Sequence, residues 1–163
     1  MLPELFWINE IQPLRLAMMA RPRSEDWLHD EIAGWQRAEI TAVVSLLEPG
    51  EVRELGLADE SSVCAQFDID FLTFPIADRG TPKSVQATSA LVDDLVARLQ
   101  RGGGVGIHCR AGIGRSGLLA ACVLSRLGVP FKDIFPALSR ARKVPVPDTP
   151  AQIEWVKNFA SST

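Results

Sequence analysis

Apolar residues fall along the chain in short blocks whose spacing switches between a strand-like and a helix-like period. Residues 5–8 and 14–19 are compact apolar runs and predict two short strands. Ser24 stands where a helix over about 25–38 would be capped, and Trp27, Leu28, Ile32 and Trp35 recur within it at helical spacing. Residues 41–47 (TAVVSLL) are β-branched and continuously apolar, the pattern of a strand buried on both faces. A short helix follows and stops near Gly56, and residues 71–74 predict another strand ended by Pro75. Turn residues fill 75–82 (PIADRGTP). A helix then runs from about Lys83 to Gln100, with Leu91, Val92, Leu95, Val96 and Leu99 as its apolar stripe and glycines at 102–104 to stop it. Residues 105–108 predict a short strand, and 118–127 a helix apolar on nearly every face, hence buried. Two further helices are expected over about 131–142 and 149–160.

Strands alternate with helices, and extra helices gather towards the C-terminus. The expected fold class is α/β, a three-layer sandwich with a central, mostly parallel sheet of about five strands flanked by helices. No internal repeat, low-complexity tract or long linker interrupts residues 1–163, which are expected to form a single domain.

Composition changes this picture little. Hydrophobic residues make up 47% of the 163, enough for a core without disulfide or metal staples. A net charge of −3 gives no basic excess, so no nucleic-acid partner is indicated. Three cysteines, Cys64, Cys109 and Cys122, are an odd number without metal-ligand spacing, which points to a reducing, cytoplasmic setting. The N-terminus lacks the pattern of a signal peptide, and no apolar run is long enough for a bilayer, so no membrane partner is expected.

The chemistry concentrates in residues 105–117, VGIHCRAGIGRSG. A cysteine stands where a buried strand ends, and an arginine six positions later where a buried helix begins. Ala111, Gly112 and Gly114 put little steric bulk in the way, so backbone N–H groups of Arg110, Ala111, Gly112, Ile113 and Gly114 can turn inward around one centre. The helix start adds unpaired N–H groups and the positive end of its dipole. Arg115 adds a planar guanidinium able to grip two oxygens. This is a cradle for a phosphoryl group, and the field that suits phosphate also favours a thiolate at Cys109. A thiolate at the floor of the cradle is placed for in-line attack on phosphorus. The Ser116 hydroxyl is a candidate to hydrogen-bond the sulfur and ease its departure, and His108 is expected to orient the loop and to count among the substrate-binding residues.

A leaving oxygen needs a proton, so a general acid is expected on another loop. Asp78, flanked by Arg79 and Gly80 in PIADRGTP, is the candidate; Asp68 and Asp70 adjoin or enter a predicted strand and suit structural roles better. Hydrolysis of the intermediate needs an oriented water, and Gln152, in PVPDTPAQ at the start of the last helix, is the candidate to hold it. Cys122 fits a core position, Cys64 a core or a surface one, and the four tryptophans core or edge positions.

Residues 105–117 resemble the signature of the protein tyrosine phosphatase superfamily: His-Cys, five residues, Arg, Ser or Thr, Gly. PIADRGTP looks like that family's movable acid loop, PVPDTPAQIEWVKNF like its water-positioning segment, and VVSLLE like a strand of the compact, atypical dual-specificity phosphatases. The resemblance implies a phosphotyrosine-phosphatase-like fold, Cys109 as nucleophile, Arg115 as phosphate clamp, Asp78 as acid and then base, Ser116 as helper of thiolate departure, and no metal or organic cofactor. The implied partner is a phosphorylated protein or another phosphomonoester.

The chain has no tyrosine, so the ring-stacking tyrosine of strictly phosphotyrosine-specific relatives is missing. A shallower pocket, open to phosphotyrosine and to phosphoserine or phosphothreonine, is the inference. Lipid-directed relatives carry two extra basic residues in the loop; here Arg110 supplies one and Ile113 occupies the other place, which disfavours phosphoinositides. Non-protein phosphates, an inositol phosphate or an RNA 5′-phosphate, stay as the alternative. Gly112, Gly114 and Gly117 also match a dinucleotide fingerprint, but that motif asks for neither the cysteine nor the arginine. A sulfur-transfer enzyme would not need the separate acid loop, and a non-catalytic phosphate-binding module would not need every catalytic candidate.

Overall fold

The computed structural model describes residues 3–162. The strands are β1 (Phe6–Trp7), β2 (Arg15–Met19), β3 (Ala42–Ser45), β4 (Asp70–Thr73) and β5 (Gly104–His108). The helices are α1 (Leu28–Arg37), α2 (Pro49–Glu54), α3 (Glu60–Gln66), α4 (Val85–Gln100), α5 (Gly114–Arg126), α6 (Phe131–Arg142) and α7 (Pro150–Ser162). The five strands lie in the order β1-β2-β5-β3-β4, with β1 antiparallel to β2 and every other pair parallel.

Alternation along the strands sorts their side chains between two cores. Leu16, Met18, Val44 and Ile107 pack with residues of α4, α5, α6 and α7, whereas Met19, Val43 and Ile40 pack with residues of α1 and α3. The result is the expected three-layer α/β sandwich. Strand β5 lies at its centre and all five of its residues are buried. In the sheet, His108 stands level with Met19 of β2 and Ser45 of β3, so three chains leave the sheet at one height. Parallel sheets gather their loops at that carboxyl edge, and the candidate site lies there.

Several boundaries differ from the sequence expectation. The first helix does not start at Glu25 on a Ser24 cap: Ser24 makes no capping bond, Glu25 has φ +56°, a short 3-10 turn spans Glu25–Trp27, and the α-helix begins at Leu28. Helix α3 was not expected at all; its seven residues bury only Glu60, Val63 and Cys64, too few to show a helical period. Helix α5 begins at Gly114, so Arg115 and Ser116 belong to its first turn, and every residue from Gly114 to Leu124 is buried. Helix α4 begins at Val85 behind Ser84, whose hydroxyl accepts the Ala87 N–H at 3.0 Å. It ends as expected at a glycine, Gly102, with φ +90°.

The buried α5 is the stability hinge of the larger core. Leu119→Ala is expected to cost about 2–5 kcal/mol, the usual span for a fully buried leucine. Val85→Ala, at a position 43% exposed, should stay within about 0.5 kcal/mol. Urea unfolding checks both: the Leu119 variant should move the midpoint down at unchanged slope.

Candidate active site

The loop from Cys109 to Ile113 is shaped from its outer side. The Arg110 carbonyl accepts the Arg21 N–H at 3.1 Å. The Ala111 and Gly112 carbonyls accept Arg142, from Nη2 at 2.8 Å and Nε at 3.3 Å, and the Arg142 guanidinium lies 4.1 Å from the Phe6 ring centroid. A trans peptide sets its N–H opposite its C=O, so three outward carbonyls direct the N–H groups of Ala111, Gly112 and Ile113 inward. Gly112 has φ +75°, and a Cβ there would strike the Met19 carbonyl, so only glycine fits. Gly114 opens α5 with the Asp148 carboxylate against it, again leaving no room for a side chain.

Cys109 is 3% exposed, and its sulfur accepts a hydrogen bond from Ser116 Oγ at 3.1 Å. The other two thiols are buried elsewhere, Cys64 among the α1 and α3 residues and Cys122 within α5. Burial pushes the Cys64 thiol up to about 12, with the Glu60 charge adding to it, and raises Cys122 as well despite Arg126.

Arg115 is 2% exposed and is held on several sides. Nη1 and Nη2 donate to the two oxygens of Glu51 at 2.7 and 3.0 Å, Nη1 also donates to the Ile76 carbonyl at 2.9 Å, and Nη2 lies 3.4 Å from Asp78 Oδ1. Burial works against its charge, but the Glu51 bonds and the negative charges of Cys109, Glu51 and Asp78 win and raise its pKa. Burial likewise pushes the Glu51 carboxyl up, yet bonds from Arg115, the Glu48 N–H and Arg110 outweigh it and bring its pKa to about 2.

Glu51 was not among the expected site residues. It sits on α2, directly after β3, and the signal was the run Glu48-Pro-Gly-Glu51, in which Glu51 Oε1 accepts the Glu48 N–H at 3.0 Å. Arg110 was expected to face the ligand with its side chain as well. Instead its guanidinium turns outward to Glu51 and Glu54, at 2.9 Å each, because two carboxylates on α2 flank it. It belongs to the cradle through its main chain only.

His108 was expected among the substrate contacts. It is fully buried, with Nε2 2.6 Å from Glu60 Oε2 and Nδ1 3.3 Å from the Cys109 carbonyl. Both ring nitrogens are taken, which leaves the loop-orienting part of the expectation and removes the contact to substrate. Its partner lies on α3, the helix the sequence did not reveal.

Asp78 is 62% exposed and reaches Arg115 from a turn closed by the Gly80 N–H on the Ala77 carbonyl at 2.7 Å. Asp68 and Asp70 lie at the far edge of the sheet, where Asp70 pairs with Arg98 at 2.6 Å. Cys109, Arg115, Ser116 and Asp78 therefore come together from two chain segments. Gln152 reaches this assembly through the turn that carries Asp78: it is fully buried, Nε2 donates to the Gly80 carbonyl at 3.1 Å, and Oε1 accepts the Asp148 and Thr149 N–H groups.

The Glu51–Arg115 pair has a pH signature. A carboxyl lowered from 4.5 to about 2 on folding adds stability that is complete above its unfolded value and fades as pH falls through the folded one. The stability gap between the parent and Glu51→Gln should thus be widest above pH 4.5 and shrink towards pH 2. Urea midpoints measured across that range check it, and a gap independent of pH would contradict the assignment.

Comparison with known proteins agrees with this geometry. The family described as Swiss Army Knife protein, DSP-PTPase phosphatase domain (PTP-SAK), matches residues 6–162. No curated protein sequence matches the chain. Kinase associated phosphatase (KAP), solved with its catalytic-site cysteine replaced by serine, superposes with a TM-score of 0.90 at 20% identity, covering 99% of this chain and 96% of that one. Tk-PTP in its active form gives 0.75 at 25% identity, covering 94% and 100%. PTPMT1 in complex with PI(5)P gives 0.76 at 19% identity, covering 91% of each. The chain belongs to the DSP-PTPase phosphatase domain family, a compact, atypical dual-specificity branch of the protein tyrosine phosphatase superfamily.

Proposed function

We propose that this protein removes phosphate from phosphotyrosine and from phosphoserine or phosphothreonine in proteins, through a phosphocysteine intermediate at Cys109. The observation that carries the reading is the convergence of three groups: a buried thiol bonded to Ser116, a buried arginine behind it, and an aspartate 3.4 Å from that arginine. Substrate phosphate sits among the inward N–H groups of the loop, with Arg115 on its equatorial oxygens. The Cys109 thiolate attacks phosphorus, the P–O ester bond breaks, and the departing oxygen takes the Asp78 proton. Water then attacks the phosphocysteine and passes a proton to the Asp78 carboxylate. The P–S bond breaks, and the sulfur leaves as a thiolate that accepts the Ser116 hydroxyl bond.

Arg110 supports a protein substrate over a polyanionic headgroup. With its guanidinium committed to Glu51 and Glu54, Arg110 is not a free cation for further phosphates. The PTPMT1 complex, at 19% identity, speaks for a shared fold and not for a shared ligand. Among the described residues no helix is long and apolar enough to cross a membrane. Three free thiols suit a reducing, cytoplasmic setting.

Hydrolysis of p-nitrophenyl phosphate in reducing buffer with added chelator tests the chemistry. The parent should turn over; Cys109→Ser should abolish turnover while still binding inorganic phosphate. On phenyl phosphate, whose phenolate needs a proton to leave, Asp78→Asn should lower kcat by about 10²–10⁴-fold, the usual contribution of a positioned general acid. A serine variant with parental rate would end the phosphocysteine reading. Phosphopeptide pairs differing only in tyrosine or serine then report the substrate class.

A further inference from the structure

Helix α7 starts with a reciprocal pair of bonds. Thr149 Oγ1 accepts the Gln152 N–H at 3.2 Å, and Gln152 Oε1 accepts the Thr149 N–H at 3.2 Å, with Pro150 at the first helical position. This is a capping box, and a capping box alone would be a purely structural device. Gln152 does more. Its Oε1 also accepts the Asp148 N–H at 3.1 Å, and its Nε2 donates at 3.1 Å to the carbonyl of Gly80. Two N–H donors face one end of the amide and a carbonyl faces the other, so only one of its two flips satisfies all three contacts.

Gly80 closes the turn that carries Asp78. Its N–H reaches the Ala77 carbonyl at 2.7 Å, which makes Asp78 and Arg79 the middle residues, and Arg79 has φ +61°. A side chain on Gly80 would press on that same carbonyl at 2.8 Å. The turn is anchored on its other side too: the Ile76 N–H donates to the Leu46 carbonyl at 3.0 Å, and the Ile76 carbonyl accepts Arg115 at 2.9 Å. Asp78 itself is mostly exposed, so little packing holds its side chain. Where its carboxylate stands depends on the two anchors, the sheet and Arg115 through Ile76, and Gln152 through Gly80.

We propose that Gln152 is a positioning residue that holds Asp78 over the phosphate loop through the Gly80 carbonyl. The proposal rests on the reading of Asp78 as the general acid. A glutamine that held the hydrolytic water would need an amide end facing the cradle, and both ends of Gln152 are occupied in a fully buried site.

Gln152→Glu separates the two duties. It keeps an oxygen for the two N–H groups, and glutamate serves a capping box as glutamine does, but it replaces the donor to Gly80 with a second oxygen that repels the carbonyl. A displaced acid hurts most where the leaving group needs its proton. The variant should lose about tenfold or more in kcat on phenyl phosphate and much less on p-nitrophenyl phosphate, whose nitrophenolate departs with little help. Added to Asp78→Asn, it should bring no further loss. Thr149→Ala, which removes only the cap, should lower the melting temperature and leave the ratio of the two esters unchanged.

An equal loss on both esters, a burst of nitrophenolate that marks a slow second step alone, or losses that multiply with Asp78→Asn would overturn the proposal. If Asp78→Asn keeps full rate, the acid reading fails and this proposal falls with it. If Asp78→Asn is impaired and Gln152→Glu is not, the tether alone falls. Should the new carboxylate unfold the protein, Gln152→Asn, one methylene short of Gly80, carries the same comparison.

Discussion

A guanidinium that is 2% exposed carries a charge that is costly to bury without a partner, and the organisation of this site follows from that constraint. Glu51 meets Arg115 with both oxygens, so the guanidinium plane is fixed before any substrate arrives. The demand for a carboxylate at that point explains why a six-residue helix, α2, follows β3 so closely. The same arginine reaches the Ile76 carbonyl and Asp78, and so draws the turn that carries Asp78 onto the Cys109 loop. One buried charge thus ties together β5 and α5, which carry the loop, α2, which neutralises it, and the turn after β4, which carries Asp78.

The phosphate loop needs the opposite arrangement. Its inner N–H groups must stay unspent, so its carbonyls have to be satisfied from outside. Arg21 does this from the segment after β2 with its main chain, and Arg142 from the end of α6 with its side chain. Beneath the loop, His108 and Glu60 form a buried pair that also touches the Cys109 carbonyl. Residues far apart in sequence therefore set which way four consecutive peptides face.

The division between what was legible in the sequence and what was not has a physical basis. The sandwich was legible because β3, β5 and α5 are buried on all sides and their apolar runs are continuous. Cys109, Arg115 and Ser116 were legible because one rigid strand-loop-helix unit carries all three. Glu51, Glu60 and Arg142 were not, because each is an ordinary charged residue whose role comes only from the tertiary partner it meets. Helix α3 escaped for a related reason: it exists to bring Glu60 and Cys64 to the sheet, and seven residues are too few to show a period. The substrate contacts expected of the His108 and Arg110 side chains failed in the same way, since adjacency to Cys109 in the chain says nothing of the side on which a side chain leaves the loop.

Charge balance at the mouth bears on the kind of ligand the site accepts. Glu51, Asp78 and the Cys109 sulfur all surround Arg115, and Arg110 spends its charge on Glu51 and Glu54. A bound phosphate therefore finds one shared cation, and the rest of its stabilisation has to come from the loop N–H groups and the positive end of α5. Such dipoles act at short range and in fixed directions, and they favour a single tetrahedral group seated at the loop centre. Glu51 and Glu54 on α2 stand beside this centre and compete with any further phosphate for Arg110.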